Sequence, residues 1–83
     1  MVVAASIYFR LSAEEWRWII LAIALVWLAE AFNTAVERLG DAITTEPNEF
    51  LKYAKDVSAA AVLVAAVTST LIGLTIFVPR LVG

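Results

Sequence analysis

Residues 57–78, VSAAAVLVAAVTSTLIGLTIFV, run for 22 positions without a charge. A hydrocarbon core of about 30 Å is crossed by ~20 apolar residues in a helix, so this stretch predicts a transmembrane helix. Val and Ile lower helix propensity in water, but in lipid the backbone must hydrogen-bond to itself. Pro79 and Arg80 follow, which predicts a helix stop and a charge that snorkels to the interface. Ser58, Ala59, Ala60, Ala61, Ala65, Ala66 and Ser69 suit close helix–helix approach in lipid.

Working toward the amino terminus, a second apolar segment precedes it. Ser12 followed by Glu15 reads as a capping box, and WRWIILAIALVWLAEAFNTAVERLGDAI continues the helix from Trp16. Trp16 and Trp18 sit where a membrane interface favours amphipathic rings. Trp18 to Ala29 is wholly apolar, and Gly40 predicts fraying or the end of the helix. Between the two segments, DAITTEPNEFLKYAK (41–55) is strongly polar. Pro47 and Asn48 mark a turn, and Phe50, Leu51, Tyr53 and Ala54 suggest a turn of helix leading into the last span. The opening MVVAASIYFR is too short to span, lacks the features of a signal peptide, and reads as the end of an earlier membrane helix.

The composition agrees with this layout. Of 83 residues, 63% are hydrophobic and 17% charged, with mean hydropathy +0.89. Soluble domains are roughly 45–50% apolar and about 25% charged. The reading is therefore an all-α integral membrane helical bundle, with two complete transmembrane helices plus the end of a first one. It forms a single membrane domain over 1–83, divided into 1–10, a second helix 12–40, a polar connection 41–54 and a third helix 55–79. The absence of cysteine excludes disulfides and thiolate chemistry, and the absence of histidine removes the commonest general base. No basic patch of the size a nucleic-acid binder shows is present. Positive charges do not set the orientation: Arg38, Lys52 and Lys55 on one side balance Arg10, Arg17 and Arg80 on the other.

Chemistry concentrates in one stripe. On a helix at about 100° per residue, Glu30, Asn33, Glu37 and Asp41 fall near 0°, 300°, 340° and 20°. Glu30 directly follows the apolar run, and an ionisable group at that depth is a functional candidate facing protein or water. The carboxylates can hold a hard cation such as Mg²⁺, and one of them can take a proton from a hydroxyl. In a hairpin, Lys55 returns to the level of Glu37 as a point charge for phosphate. This inventory suits phosphoryl transfer. The same stripe also suits a solvated face or a structural ion pair in a non-catalytic membrane protein that oligomerises through its helices, or an ion-conducting oligomer with Glu30 lining the path.

The residues resemble a family. Glu30-Ala31-Phe32-Asn33-Thr34-Ala35-Val36-Glu37 with Asp41 is similar to the signature E-x-x-N-[ST]-A-[IV]-E-x-x-x-D of the prokaryotic diacylglycerol kinase and undecaprenol kinase family. Ala54-Lys55-Asp56-Val57-Ser58-Ala59-Ala60-Ala61-Val62 is similar to its A-K-D-x-x-[AS]-A-A-V block, and the spacing between the two also fits. The resemblance covers Met1 to Val82. It implies a multi-pass kinase of the bacterial inner membrane, a homotrimer with shared sites at the cytoplasmic face. That enzyme transfers the γ-phosphate of ATP, with Mg²⁺, to a lipid hydroxyl. Carried over by motif position, Glu30 is the general base, Asn33 supports the site, Glu37 ligates the metal, and Lys55 and Asp56 contact the nucleotide. Asp41 takes a nucleotide-side role. The Trp-rich approach at 15–18 and Asn33-Thr34 resemble the undecaprenol-type members more than the diacylglycerol type. Family members normally begin with a surface helix and a complete first membrane helix, which supply a further acidic metal ligand. The expectation here is a chain lacking that surface helix and most of that first span.

Overall fold

The computed structural model describes residues 2–82. They form three α-helices in chain order: α1 (Val2–Tyr8), α2 (Ala13–Ile43) and α3 (Glu49–Val82), with no strand among the described residues. The molecule is a rod of 54 × 18 × 18 Å. At 1.5 Å per residue, α2 and α3 are about 46 and 51 Å long, longer than the hydrocarbon core. Only 11% of the most apolar 18-residue stretch of either helix is buried within the chain. The helix pair therefore shows its apolar side chains to its surroundings, as a membrane bundle does and the core of a soluble protein does not. Met1, part of the expected opening segment, lies outside the described residues.

α2 and α3 form an antiparallel hairpin. Three pairs fix its register: the Ser69 hydroxyl donates to the Ala22 carbonyl at 2.9 Å, the Ser58 hydroxyl lies 2.7 Å from Asn33 Oδ1, and Lys55 Nζ donates to Asp41 at 2.7 Å. In lipid, apolar surface gives helices little reason to associate, so small residues and interhelical hydrogen bonds carry the pairing. Ala22 and Ala65 are buried at the seam, where their size lets the backbones approach.

The end remote from the connection holds the packed core. Leu11, Ile19 and Ile76 are buried there, with Phe9, Trp16, Ile23, Ile72 and Phe77 around them. The expected capping box is formed: Ser12 Oγ accepts from Glu15 N–H, and Glu15 Oε1 accepts from Ser12 N–H. α1 ends in a Schellman motif, with Leu11 N–H on the Ser6 carbonyl and Arg10 N–H on the Ile7 carbonyl. Arg10 takes the left-handed position that glycine usually fills, at φ 52°.

Three sequence expectations are corrected. Pro79 does not end α3, which continues to Val82. A proline so near the terminus costs a single backbone bond, its φ is already helical, and Arg80 anchors the last turn. Its guanidinium pairs with Glu15, with Nε 3.3 Å from Oε2, and Nη1 donates to the Phe9 carbonyl at 3.0 Å. Gly40 lies inside α2, which runs on to Ile43 and is capped by Thr44 N–H on the Gly40 carbonyl. The polar connection shrinks from 41–54 to 44–48. Thr44 Oγ1 accepts from Glu46 N–H, and Asn48 Oδ1 accepts from Leu51 N–H as the N-cap of α3. The helical turn expected around Phe50 to Ala54 is thus the start of α3 itself.

Arg80 ties the ends of all three helices together. Arg80→Ala should lower the midpoint of thermal unfolding in micelles, because charged hydrogen bonds to Glu15 and the Phe9 carbonyl are lost together. Arg80→Lys should recover only part, because an ammonium does not match the guanidinium fork. An unchanged midpoint in Arg80→Ala would show that the cluster does not hold the helices.

Candidate functional site at the polar end of the hairpin

The register places the stripe against the membrane boundary. Ser58 pairs with Asn33, so Val57, where the charge-free run of α3 begins, lies level with Thr34. Glu30 is then about one turn, ~6 Å, on the apolar side of that level. Glu37 is about one turn on the polar side, and Asp41 lies beyond it. Taking the start of that charge-free run as the boundary, one face of α2 carries a carboxylate a turn to its apolar side, an amide beside it and two carboxylates on its polar side.

Among the expected residues, the structure brings together two pairs. Asn33 Nδ2 donates to Glu37 Oε1 at 3.5 Å, a long contact one helical turn apart. Lys55 reaches Asp41 across Gly40, which is buried. A Cβ at Gly40 would stand 3.2 Å from Lys55 Cε, so the missing side chain makes room for the lysine stem. Glycine here serves interhelical contact rather than helix termination.

Glu30 and Asp56 stand apart. Glu30 is exposed on the hairpin, with no hydrogen-bond partner among the described residues. Asp56 faces Lys52 at 3.7 Å in an exposed i,i+4 pair, an arrangement worth little in water. No group of three His, Cys, Asp or Glu side chains converges among the described residues. A cation at this end would therefore draw on Glu37, the Asn33 amide and ligands from elsewhere. An open pocket of about 340 Å³ sits under the connection, lined by Asp41, Thr44, Asn48, Lys52, Lys55 and Asp56 among others. Sequence reasoning missed Ser58 as a site residue and treated it as a small packing residue. The only available signal was its place three residues after Lys55, one turn along α3.

A second groove lies away from the charged stripe. It is an apolar trough of about 430 Å³ between α2 and α3, including Ile23, Val26, Trp27, Ala66, Thr70 and Gly73, with Val2 of α1 also against it. Trp27 is one turn below Glu30, and by helix periodicity Ile23, Trp27 and Glu30 lie within about 60° of one another. The carboxylate and the trough therefore share a flank of the hairpin.

The sequence profile of prokaryotic diacylglycerol kinase matches residues 1–77. The chain belongs to this family. It is 42% identical over 80 residues to a protein named undecaprenol kinase from Bacillus subtilis (strain 168). That match takes in 96% of this chain and 65% of the relative's length, so the chain spans just under two thirds of the curated relative it matches. No solved structure matches the chain. As a member of this family, it carries both motif blocks on the two long apolar helices, and the hairpin faces them toward the same end.

The chain has no native cysteine, which makes the register directly testable. Asn33→Cys with Ser58→Cys should crosslink readily on oxidation or with a short thiol reagent in micelles. Asn33→Cys with Ala65→Cys, displaced by about 10 Å along α3, should not. Equal yields from both pairs would overturn the register.

Proposed function

We propose that this chain forms the catalytic part of a membrane lipid kinase that moves the γ-phosphate of ATP onto a lipid hydroxyl with Mg²⁺. The observation that carries the reading is the depth order along α2: Glu30 inside the boundary, Asn33 at it, Glu37 and Asp41 outside. A lipid alcohol and a polyphosphate approach a membrane enzyme from opposite sides of that boundary. The stripe offers the former a base and the latter polar groups.

In this mechanism Glu30 accepts the proton of the lipid hydroxyl as its oxygen attacks the γ-phosphorus. The bond from the γ-phosphorus to the β–γ bridging oxygen breaks, and the charge leaves on ADP. Lys55, released from Asp41, neutralises the phosphates, while Asp56 and Asp41 line the nucleotide side. The donor set fits the metal, since Mg²⁺ is commonly held by one or two carboxylates plus substrate phosphates. Glu37 would hold it, supported by Asn33. Bound there, the metal would neutralise charge developing on the transferring group. The apolar trough below Glu30 suits the chain of the lipid, and the undecaprenol kinase name of the relative favours undecaprenol over diacylglycerol. By the same family reading, the protein lies in the bacterial inner membrane with this end on the cytoplasmic side. It works as a homotrimer in which a neighbouring copy completes the site around the exposed Glu30.

The test is transfer from labelled ATP with Mg²⁺ in micelles, offering undecaprenol and diacylglycerol separately. Glu30→Gln keeps the shape and removes the base, and should lower turnover at least about 100-fold while leaving assembly intact. Retained activity would remove Glu30 from the role. No transfer by the unmutated chain, or by the chain joined to the family's front segment, would leave the non-catalytic assembly reading in its place.

Lys55→Ala should raise the KM for ATP about tenfold or more, with little change for lipid, because a charge-assisted contact to phosphate is lost. A loss confined to the lipid KM would make Lys55 structural.

A further inference from the structure

Among the described residues, the Ser58 hydroxyl of α3 hydrogen-bonds onto the stripe at Asn33, between Glu30 and Glu37. Its Oγ lies 2.7 Å from Asn33 Oδ1 and 2.9 Å from the carbonyl oxygen of Lys55, three residues back on its own helix. A serine hydroxyl has a single proton to donate. Given to Asn33, that proton fixes the amide with its oxygen toward α3 and its nitrogen toward Glu37, where Nδ2 stands 3.5 Å from Oε1. Given to the Lys55 carbonyl, it leaves Oγ able only to accept. The amide would then have to turn over, presenting its oxygen to the Glu37 carboxylate, an acceptor facing an acceptor. A negative charge on Glu37 therefore selects the first arrangement, and Ser58 holds it from the other helix.

We propose that Ser58 is a positioning residue that orients the Asn33 amide and, through it, the carboxylate of Glu37. The chain Ser58–Asn33–Glu37 runs from one helix to the other and back along a turn. It aims the amide nitrogen at Oε1 of Glu37, in a long contact that a bound cation would tighten, and leaves Oε2 without a protein partner among the described residues. Supporting groups of this kind set how well a carboxylate receives a hard cation. The consequence for a cation rests on the kinase reading of Glu37; the orientation of the amide does not.

The sequence has two asparagines, Asn33 and Asn48, and no glutamine. Selective ¹⁵N-asparagine labelling of the full chain in micelles thus gives two side-chain amide signals, and Asn48→Asp, which keeps a helix-capping side chain, assigns them. With the chain of hydrogen bonds intact, the Asn33 amide protons should exchange more slowly with solvent than those of Asn48. Ser58→Ala and, separately, Glu37→Gln should each speed that exchange about tenfold, the weight of one net hydrogen bond. Ser58→Thr, which keeps the hydroxyl, should restore the slow rate. Unchanged exchange in Ser58→Ala, or Ser58→Thr behaving like Ser58→Ala, would overturn the proposal. Mn²⁺ titration followed by electron paramagnetic resonance separates the two readings. Weakening of about tenfold in Ser58→Ala supports transmission to Glu37. If the unmutated chain bound no Mn²⁺, the cation role of Glu37 would fall, while the amide exchange would still decide the role of Ser58.

Discussion

The whole polar end depends on the register in which α3 descends along α2. In water that register would be enforced by burial of apolar faces. In lipid it is not, because the surrounding chains are as apolar as the helices. Besides the Arg80–Glu15 pair at the far end, what remains are short-range, directional contacts: the Ser69 hydroxyl on the Ala22 carbonyl, the Ser58 hydroxyl on Asn33, and Lys55 on Asp41. These lie at three heights along the rod and agree on one alignment. A slip of one turn would break all three and would carry Lys55 away from the gap that Gly40 leaves for it.

Two kinds of information were thus written differently in the chain. The spans were legible because lipid imposes a simple rule, an uninterrupted apolar stretch of sufficient length, and 57–78 obeys it. The capping box at Ser12 and Glu15 was legible because it is a local pattern with a fixed spacing, and it is formed as read. The stripe from Glu30 to Asp41 follows from helix periodicity alone. Gly40 and Pro79 were misread for a common reason. Each has a strong local tendency to end a helix, and each is overruled by a contact from far along the chain, Lys55 in one case and the Arg80–Glu15 pair in the other. Ser58 was read as packing because its partner is 25 residues away, and single-sequence patterns do not reach that far.

The family motifs also gain a physical meaning from the hairpin. Their residues differ in depth, not only in identity. Glu30 lies beside the apolar run of α2, where an ionisable group is costly if that run lies in lipid, and Glu37 lies two turns further toward the polar connection. A pattern written as letters and gaps is, in the folded chain, a ladder across the boundary between hydrocarbon and water. Asn33, paired with α3 at the crossing point, marks the rung between the two environments.

The two ends of the rod are held by unlike means. The end remote from the connection is gripped by aliphatic and aromatic packing around Ile19 and by the Arg80 cluster, whereas the other end meets through polar contacts and a five-residue link. The pair therefore has the mechanics of tongs, with the pivot far from the tips. From Ile19 to Glu37 the lever is about 27 Å long, so a tilt of about 5° at the pivot displaces the tips by about 2 Å. That is most of a hydrogen bond's length. A shift in packing at the remote end of the rod is consequently felt where the carboxylates of α2 face α3, although the residues there never approach them.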